Sequence, residues 1–196
     1  MTGKKQKKSA EKLKKKKWYK VYAPKMFKEV IIGETPAEKE QQLIGRTVEI
    51  PLANVAGQKK PSPILVKFRI NNTISGRANT ELVGCRYDSG YLRRIVRRRK
   101  SKIDVINYLE TADKKRIKIV TTVICLTKIE RKKETKVRNT VSDELSKEVR
   151  SSNFEDIMQQ IIFGNMIQKL FNLVKNIAPV QRVEIVKAYL VEGKKE

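Results

Sequence analysis

Residues 103–127 read IDVINYLETADKKRIKIVTTVICLT, and their reading decides the fold. Residues 103–109 form a strand, the polar segment 110–115 (ETADKK) a turn, and 116–127 a second strand rich in β-branched side chains, which fit a pleated surface. Two such runs joined by a short polar turn predict a β-hairpin. Upstream, 65–71 (LVKFRIN) places Val66, Phe68 and Ile70 on one face and Lys67 and Arg69 on the other, the alternation of a half-buried strand. In 47–55 (TVEIPLANV) Val48, Ile50 and Leu52 alternate likewise, with Pro51 confining the strand to an edge or a bulge. Segment 33–45, with Pro36 after Thr35 and then Ala37-Glu38-Lys39-Glu40, reads as a short capped helix or loop acting as a linker. In 18–28 (WYKVYAPKMFK) four aromatic residues interleave with apolar residues and three lysines. The alternation favours a strand packed on the sheet, with base stacking as the competing use of Trp18, Tyr19, Tyr22 and Phe27.

Downstream the period becomes helical. Residues 142–150 (SDELSKEVR) form a helix, Asn153 caps a second over 154–163, and a third runs over 165–177 and stops before Pro179. Val183, Ile185 and Val191 mark a final strand. Between the strands, 88–100 (DSGYLRRIVRRRK) has Leu92, Ile95, Val96 and the stem of Arg99 at helical spacing, with Asp88 or Ser89 as N-cap. This predicts a short helix with one apolar stripe, from which Arg93, Arg94, Arg97 and Arg98 project elsewhere. Strands precede helices, and there is neither βαβ alternation nor an internal repeat. The expected class is α+β, with a mostly antiparallel, barrel-like β domain, C-terminal helices and a basic, disordered N-terminal extension. The boundaries are a tail at 1–17 and a single globular domain at 18–196, β-rich over 18–127, helical over 140–178, with a final strand at 180–191.

The 196 residues carry 45 Lys plus Arg against 21 Asp plus Glu, a formal net charge of +24. The excess is concentrated: twelve Lys and one Glu lie in 1–28, eight Lys plus Arg and one Asp in 86–102, and six cations and two Glu in 128–138. The other 140 residues are nearly neutral and suffice for an ordinary core. Residues 1–17 have too little apolar surface to offset their ordering entropy. Basic segments on a neutral body need a polyanion, either nucleic acid or an anionic membrane surface, and nucleic acid is the stronger fit.

Composition also excludes. With no His, a Ser-His-Asp triad, a Cys-His pair and His-containing metal sites are ruled out. Cys85 and Cys125 lie 40 positions apart without a CxxC partner and read as buried thiols. The nine glycines form neither a dinucleotide fingerprint nor a P-loop. Asp143-Glu144 and Glu155-Asp156 fall on predicted first turns of helices, where acids complement the macrodipole. Asp104 and Glu110 read as surface ion-pair partners. No catalytic residue, metal or cofactor is assigned. No apolar run reaches the length of a membrane span or forms a signal peptide, so a soluble, intracellular protein is expected.

The sharpest binding signal is the set of six arginines in 86–99, whose planar forks take phosphate oxygens in pairs. The candidate RNA-binding residues are Lys4, Lys5, Lys7, Lys8, Lys14, Lys15, Lys16 and Lys17 of the tail, then Trp18, Lys20, Lys25 and Lys28. They continue with Arg77, Arg86, Arg93, Arg94, Arg97, Arg98, Arg99, Lys100 and Lys102, and end with Lys132, Lys133 and Arg138.

Several stretches together resemble one family. Lys16-Lys17-Trp18-Tyr19-Lys20-Val21-Tyr22-Ala23-Pro24 with Phe27, then 45–53 (GRTVEIPLA), Phe68-Arg69-Ile70, Gly76-Arg77 and 79–88 (NTELVGCRYD) are similar to the archaeal and eukaryotic small-subunit ribosomal protein one family, also called the S-three-A family. Leu92, Val96-Arg97, Ile103-Asp104-Val105 with its hairpin, and 178–187 (APVQRVEIVK) continue the resemblance in unbroken order. The lack of a long C-terminal extension resembles archaeal members. The resemblance implies a β-barrel-like domain with helices packed on it, in a structural, cytoplasmic protein of the small ribosomal subunit. It further implies a place on the platform near the mRNA exit and the rRNA 3′ end, with small-subunit rRNA, neighbouring ribosomal proteins and mRNA as partners and no membrane. The alternatives from other classes are a non-ribosomal basic RNA-binding or architectural nucleic-acid or membrane-surface protein, and an RNA-processing enzyme. Ile157, Ile161, Ile162, Met166, Leu170, Phe171 and Val174 exceed the needs of one helix face, so part of 140–178 is expected to meet a neighbouring protein.

Overall fold

A computed structural model describes residues 16–57, 62–74 and 76–191. Eight strands and five helices are present among them, in the order β1 (Lys17–Tyr22), β2 (Ile31–Ala37), β3 (Thr47–Pro51), α1 (Leu52–Ala56), β4 (Ile64–Ile74) and β5 (Arg77–Tyr87). There follow α2 (Ser89–Ile95), β6 (Lys102–Glu110), β7 (Arg116–Cys125), α3 (Arg131–Ser151), α4 (Phe154–Phe163), α5 (Asn165–Lys175) and β8 (Val180–Leu190). The chain is α+β, as expected. The expected tail lies outside the described residues except for Lys16 and Lys17, and Lys17 already begins β1.

The described residues fall into two compact units. The first takes the chain up to Ser62 together with Lys67–Leu82. Here β1 pairs antiparallel with β2 and parallel with the start of β5, while β4 pairs with β3 and β5. Alternate β1 residues Tyr19 and Val21 point into a core with Ala37, Leu43, Ile70 and Ala78. Phe27 packs edge-on against Phe68, ring centroids 5.6 Å apart. Two expectations change here. Residues 33–37 belong to β2 instead of a helix or linker, and Pro36 is tolerated because β2 pairs on one side only, so its missing N–H leaves no ladder position empty. The strand predicted over 47–55 ends at Pro51, after which Leu52, Ala53 and Val55 turn into α1 and are buried on one side of it.

The second unit comprises Pro63–Val66 and the chain from Val83 onward. Its strand order is β5-β8-β7-β6, all antiparallel. The β6–β7 hairpin forms as predicted, with nine register pairs from Lys102↔Ile124 to Glu110↔Arg116. Gly84 faces Tyr189 across β5–β8, and a Cβ there would lie 2.3 Å from the Ala188 carbonyl oxygen, so only glycine lets the strands close. Helix α3 buries Val137, Val141, Leu145 and Val149, a stripe at four-residue steps, each side chain contributing about 1.5–3 kcal/mol relative to exposure. It begins at Arg131, eleven residues before the predicted start. In α4, Phe154, Ile157, Met158, Ile161 and Ile162 are all buried, and Gly164 (φ 85°) supplies the left-handed turn into α5. Asn153 occupies the N-cap position of α4 as predicted, but its side chain makes no cap bond; the backbone N–H of Phe154 donates instead to Asp113 Oδ2 of the hairpin turn at 3.2 Å. Asp113→Ala should therefore cost about 1 kcal/mol of stability, read from chemical denaturation, while Asn153→Ala should cost little.

The apolar surplus of 157–174 is mostly core: Ile157, Ile161, Ile162, Met166, Leu170 and Val174 are buried within the chain and Phe171 is half-buried. The barrel-like expectation also fails. The sheet is mixed, through the parallel β1–β5 pair, and does not close, because the end strands β2 and β6 each pair with one neighbour only. Cys85 and Cys125 are buried free thiols as expected, and burial pushes the Cys85 thiol up to about 12. No helix among the described residues is long and apolar enough to cross a membrane.

Candidate nucleic-acid interface

In the second unit, Ser101 ties the end of the arginine segment to the entrance of α3. Its N–H donates to the Thr127 carbonyl at 3.4 Å, its carbonyl accepts from Cys125 N–H at 2.9 Å, and its Oγ accepts from Ile129 N–H at 3.1 Å. Two basic segments, 86–102 and 128–138, thereby meet. Lys100, Lys128, Arg131 and Arg138 line an open cleft of about 510 Å³, with Glu134 as its one carboxylate. Arg131, Glu134, Thr135 and Arg138 stand at i, i+3, i+4 and i+7, one face of α3. The first turn of α3 is Arg131-Lys132-Lys133-Glu134. Cations there oppose the macrodipole at a cost of about 0.3–1 kcal/mol each, a sacrifice that an anionic ligand reverses. An open, concave, cationic surface with guanidinium forks suits phosphate oxygens. Among the described residues no group of three or more His, Cys, Asp or Glu side chains could hold a metal ion.

Helix α2 presents the next arginines. Asp88 caps it, its Oδ2 accepting from Gly90 N–H at 3.1 Å and Tyr91 N–H at 3.3 Å. Tyr87 and Tyr91 stack with centroids 5.5 Å apart, and the Tyr91 hydroxyl donates to buried Glu184 while accepting from Arg182 at 2.9 Å. Burial raises the pKa of Tyr91, Glu184 raises it further, and Arg182 opposes both. This contact fixes α2 on β8. Tyr91→Phe leaves the ring stack but removes both hydroxyl bonds, and it should cost about 1–2 kcal/mol in urea unfolding.

Arg93 and Arg94 are exposed on α2, but the helix ends at Ile95, so Arg97–Arg99 lie in the following turn and not on the predicted stripe-bearing helix. Continuing the helix would set Arg93 against Arg97 and Arg94 against Arg98 at i, i+4, both repulsive. Arg99 adopts φ 65° there.

In the first unit the aromatic segment divides its roles. Tyr19 and Phe27 are core, whereas Trp18 is 67% exposed and Tyr22 is half-buried beneath Arg77, whose guanidinium carbon sits 5.2 Å from the ring centroid. Lys20 lies opposite Arg77 in register.

Of the residues named from sequence, Lys4, Lys5, Lys7, Lys8, Lys14 and Lys15 lie outside the described residues. Lys16, Lys17, Trp18, Lys20, Lys25, Lys28 and Arg77 are exposed in the first unit. Arg86 is half-buried on β5, and Lys102 is engaged with Asp104 at 2.7 Å, the ion pair expected of that aspartate. Lys132 and Lys133 are exposed on α3 but outside the cleft lining, so only Lys100 and Arg138 of the named residues enter it. Lys128 and Arg131 were missed. Glu155 and Asp156 occupy the first turn of α4 as expected, whereas Asp143 and Glu144 lie inside α3, where Glu144 and Glu148 hold Lys169.

A sequence model described as the Ribosomal S3Ae family matches residues 4–194. A small ribosomal subunit protein eS1 of Methanoculleus marisnigri is 37% identical over 177 residues, covering 89% of each chain. Proteins of the same name from Saccharolobus solfataricus and Saccharolobus islandicus are 32% and 31% identical over 182 residues, 93% of this chain and 88% of theirs.

Proposed function

The chain belongs to the Ribosomal S3Ae family, and on that premise we propose that it binds small-subunit rRNA through the cleft that Lys100, Lys128 and the start of α3 line, together with the arginines of α2 and the segment after it. It is a structural, non-enzymatic component of the small subunit of cytoplasmic ribosomes, associated with rRNA and other ribosomal proteins. The observation that carries the rRNA reading is the convergence of Lys100 and Arg138 with Lys128 and Arg131 in one cationic cleft. The exposed cations Arg93, Arg94 and Arg97–Arg99, with Lys132 and Lys133, extend it, and the first-unit lysines supply further phosphate contacts. The proposed location is the platform, near the mRNA exit and the rRNA 3′ end, a reading supported by the resemblance running from Lys16 to Lys187.

Binding by counterion release makes the test a salt series. If the basic segments engage on the order of ten phosphates, log K against log salt falls with a slope of roughly −7 to −9. A slope shallower than about −3 places the charge away from the interface and removes the reading. Hydroxyl-radical footprinting on small-subunit RNA tests the location: protections confined to the platform support it, and protections elsewhere overturn it.

A further inference from the structure

We propose that the exposed face of β1, Trp18, Lys20 and Tyr22 with Arg77 of β5 beside them, is a stacking platform for unpaired bases of single-stranded RNA. The proposal rests on the rRNA-binding reading and names the form of RNA this surface takes. Trp18 is 67% exposed on a strand whose alternate residues Tyr19 and Val21 are 6% and 2% exposed, so the side chain that would add most to a core faces water. Trp18 and Tyr22 share one face four residues apart, about 13 Å along the strand, too far to clamp one base; the Trp18 ring is open to a base, while the half-buried Tyr22 ring backs the Arg77 guanidinium, which offers the second stacking plane. Lys20 stands between them, and its register partner Arg77 also covers the Tyr22 ring at 5.2 Å. Aromatic faces alternating with cations that track a backbone are the elements of sequence-tolerant single-strand binding. Bases inside a duplex hide their faces in the stack, so this surface discriminates by base exposure. Of the nearby carboxylates, Glu34 lies opposite Lys20, and Glu81 is held by Arg69 at 3.4 Å, leaving the face net cationic.

Trp18 is the only tryptophan in the chain, so its fluorescence reports the platform directly. The full chain is titrated with a short oligoadenylate and with an RNA duplex of equal length, affinity being followed separately by anisotropy of labelled RNA. Oligoadenylate is expected to quench the tryptophan saturably and the duplex to bind without quenching. Trp18→Ala should lower oligoadenylate affinity about 10-fold, leaving duplex affinity and the melting temperature unchanged, and Trp18→Phe should restore most of the loss. Equal quenching by duplex, or oligoadenylate binding with neither quenching nor sensitivity to Trp18→Ala, overturns the platform, leaves this face to a protein neighbour, and spares the cleft. Failure of both RNAs to bind overturns the rRNA reading and the platform with it.

Discussion

Exchanging both Lys128 and Arg131 for glutamate lowers affinity for small-subunit RNA by about 100-fold or more while the free protein melts no lower, and if anything higher, than the parent. The binding loss has two parts: two phosphate contacts disappear, and two carboxylates now face phosphate across the cleft. Like-charge juxtaposition at an interface costs several kcal/mol, and about 3 kcal/mol suffices for the loss. The salt slope should also become shallower by roughly 1.5, since each lost contact removes about 0.7–0.9. Stability moves the other way because Arg131 sits in the first turn of α3, where a carboxylate favours the helix by about 0.3–1 kcal/mol. Each exchange also removes two units of charge, taking the net from +24 to +20 and relaxing self-repulsion. Filter binding and a thermal melt on the same preparation separate the two effects. Unchanged affinity would place the cleft away from RNA, and a collapsed melt would make these cations structural.

Gly84→Ala removes about 3 kcal/mol of stability or more, although it adds one methyl. The new Cβ would lie 2.3 Å from the Ala188 carbonyl oxygen, 2.4 Å from Tyr189 Cδ1 and 2.9 Å from Tyr189 Cα. Two of these atoms are backbone, so no rotamer relieves the clash, and the β5–β8 pairing must open. Overpacking costs about 1–3 kcal/mol and occasionally more, and a backbone clash belongs at the upper end. The urea midpoint should fall, with the m-value falling too if β8 separates before the rest of its unit. Gly33→Ala is the control: no atom comes within 4 Å of its added Cβ, and the midpoint should stay within about 0.5 kcal/mol of the parent. An unchanged Gly84→Ala midpoint would contradict the β5–β8 register.

Local patterns were legible where one face is buried. The hairpin over 103–127 and the α4 and α5 helices follow directly from alternation and helical spacing. Strands β2 and β5 were not assigned because their signals are broken, β2 by Gly33 and Pro36, and β5 by polar residues at Asn79 and Glu81 followed by the four buried residues Leu82–Cys85. Non-local pairing, such as β1 with β5, leaves no mark in sequence, so an open mixed sheet could not be told from a barrel. The site shows the same division. That 128–138 was basic was plain from counting, but with α3 taken to start at 142 the spacing of Arg131 and Arg138 around one helix face had no meaning. Lys132 and Lys133 were named and Arg131 was not, although only Arg131 lines the cleft. The valines at 137, 141 and 149, in step with Leu145, were the signal that carries the helix back to its true start.

The order β5-β8-β7 has a consequence in time. The strand that completes the second unit is made after both strands it joins. From the end of β7 to the end of β8 the ribosome must add residues 126–190, which takes about 3–13 s at ordinary synthesis rates. Throughout that interval β7 has an open edge, and so does the second half of β5. Net positive charge keeps such nascent chains apart from one another, and the same charge draws them to RNA before folding is complete. A chain with this topology therefore runs a race between finishing its sheet and premature capture by polyanions.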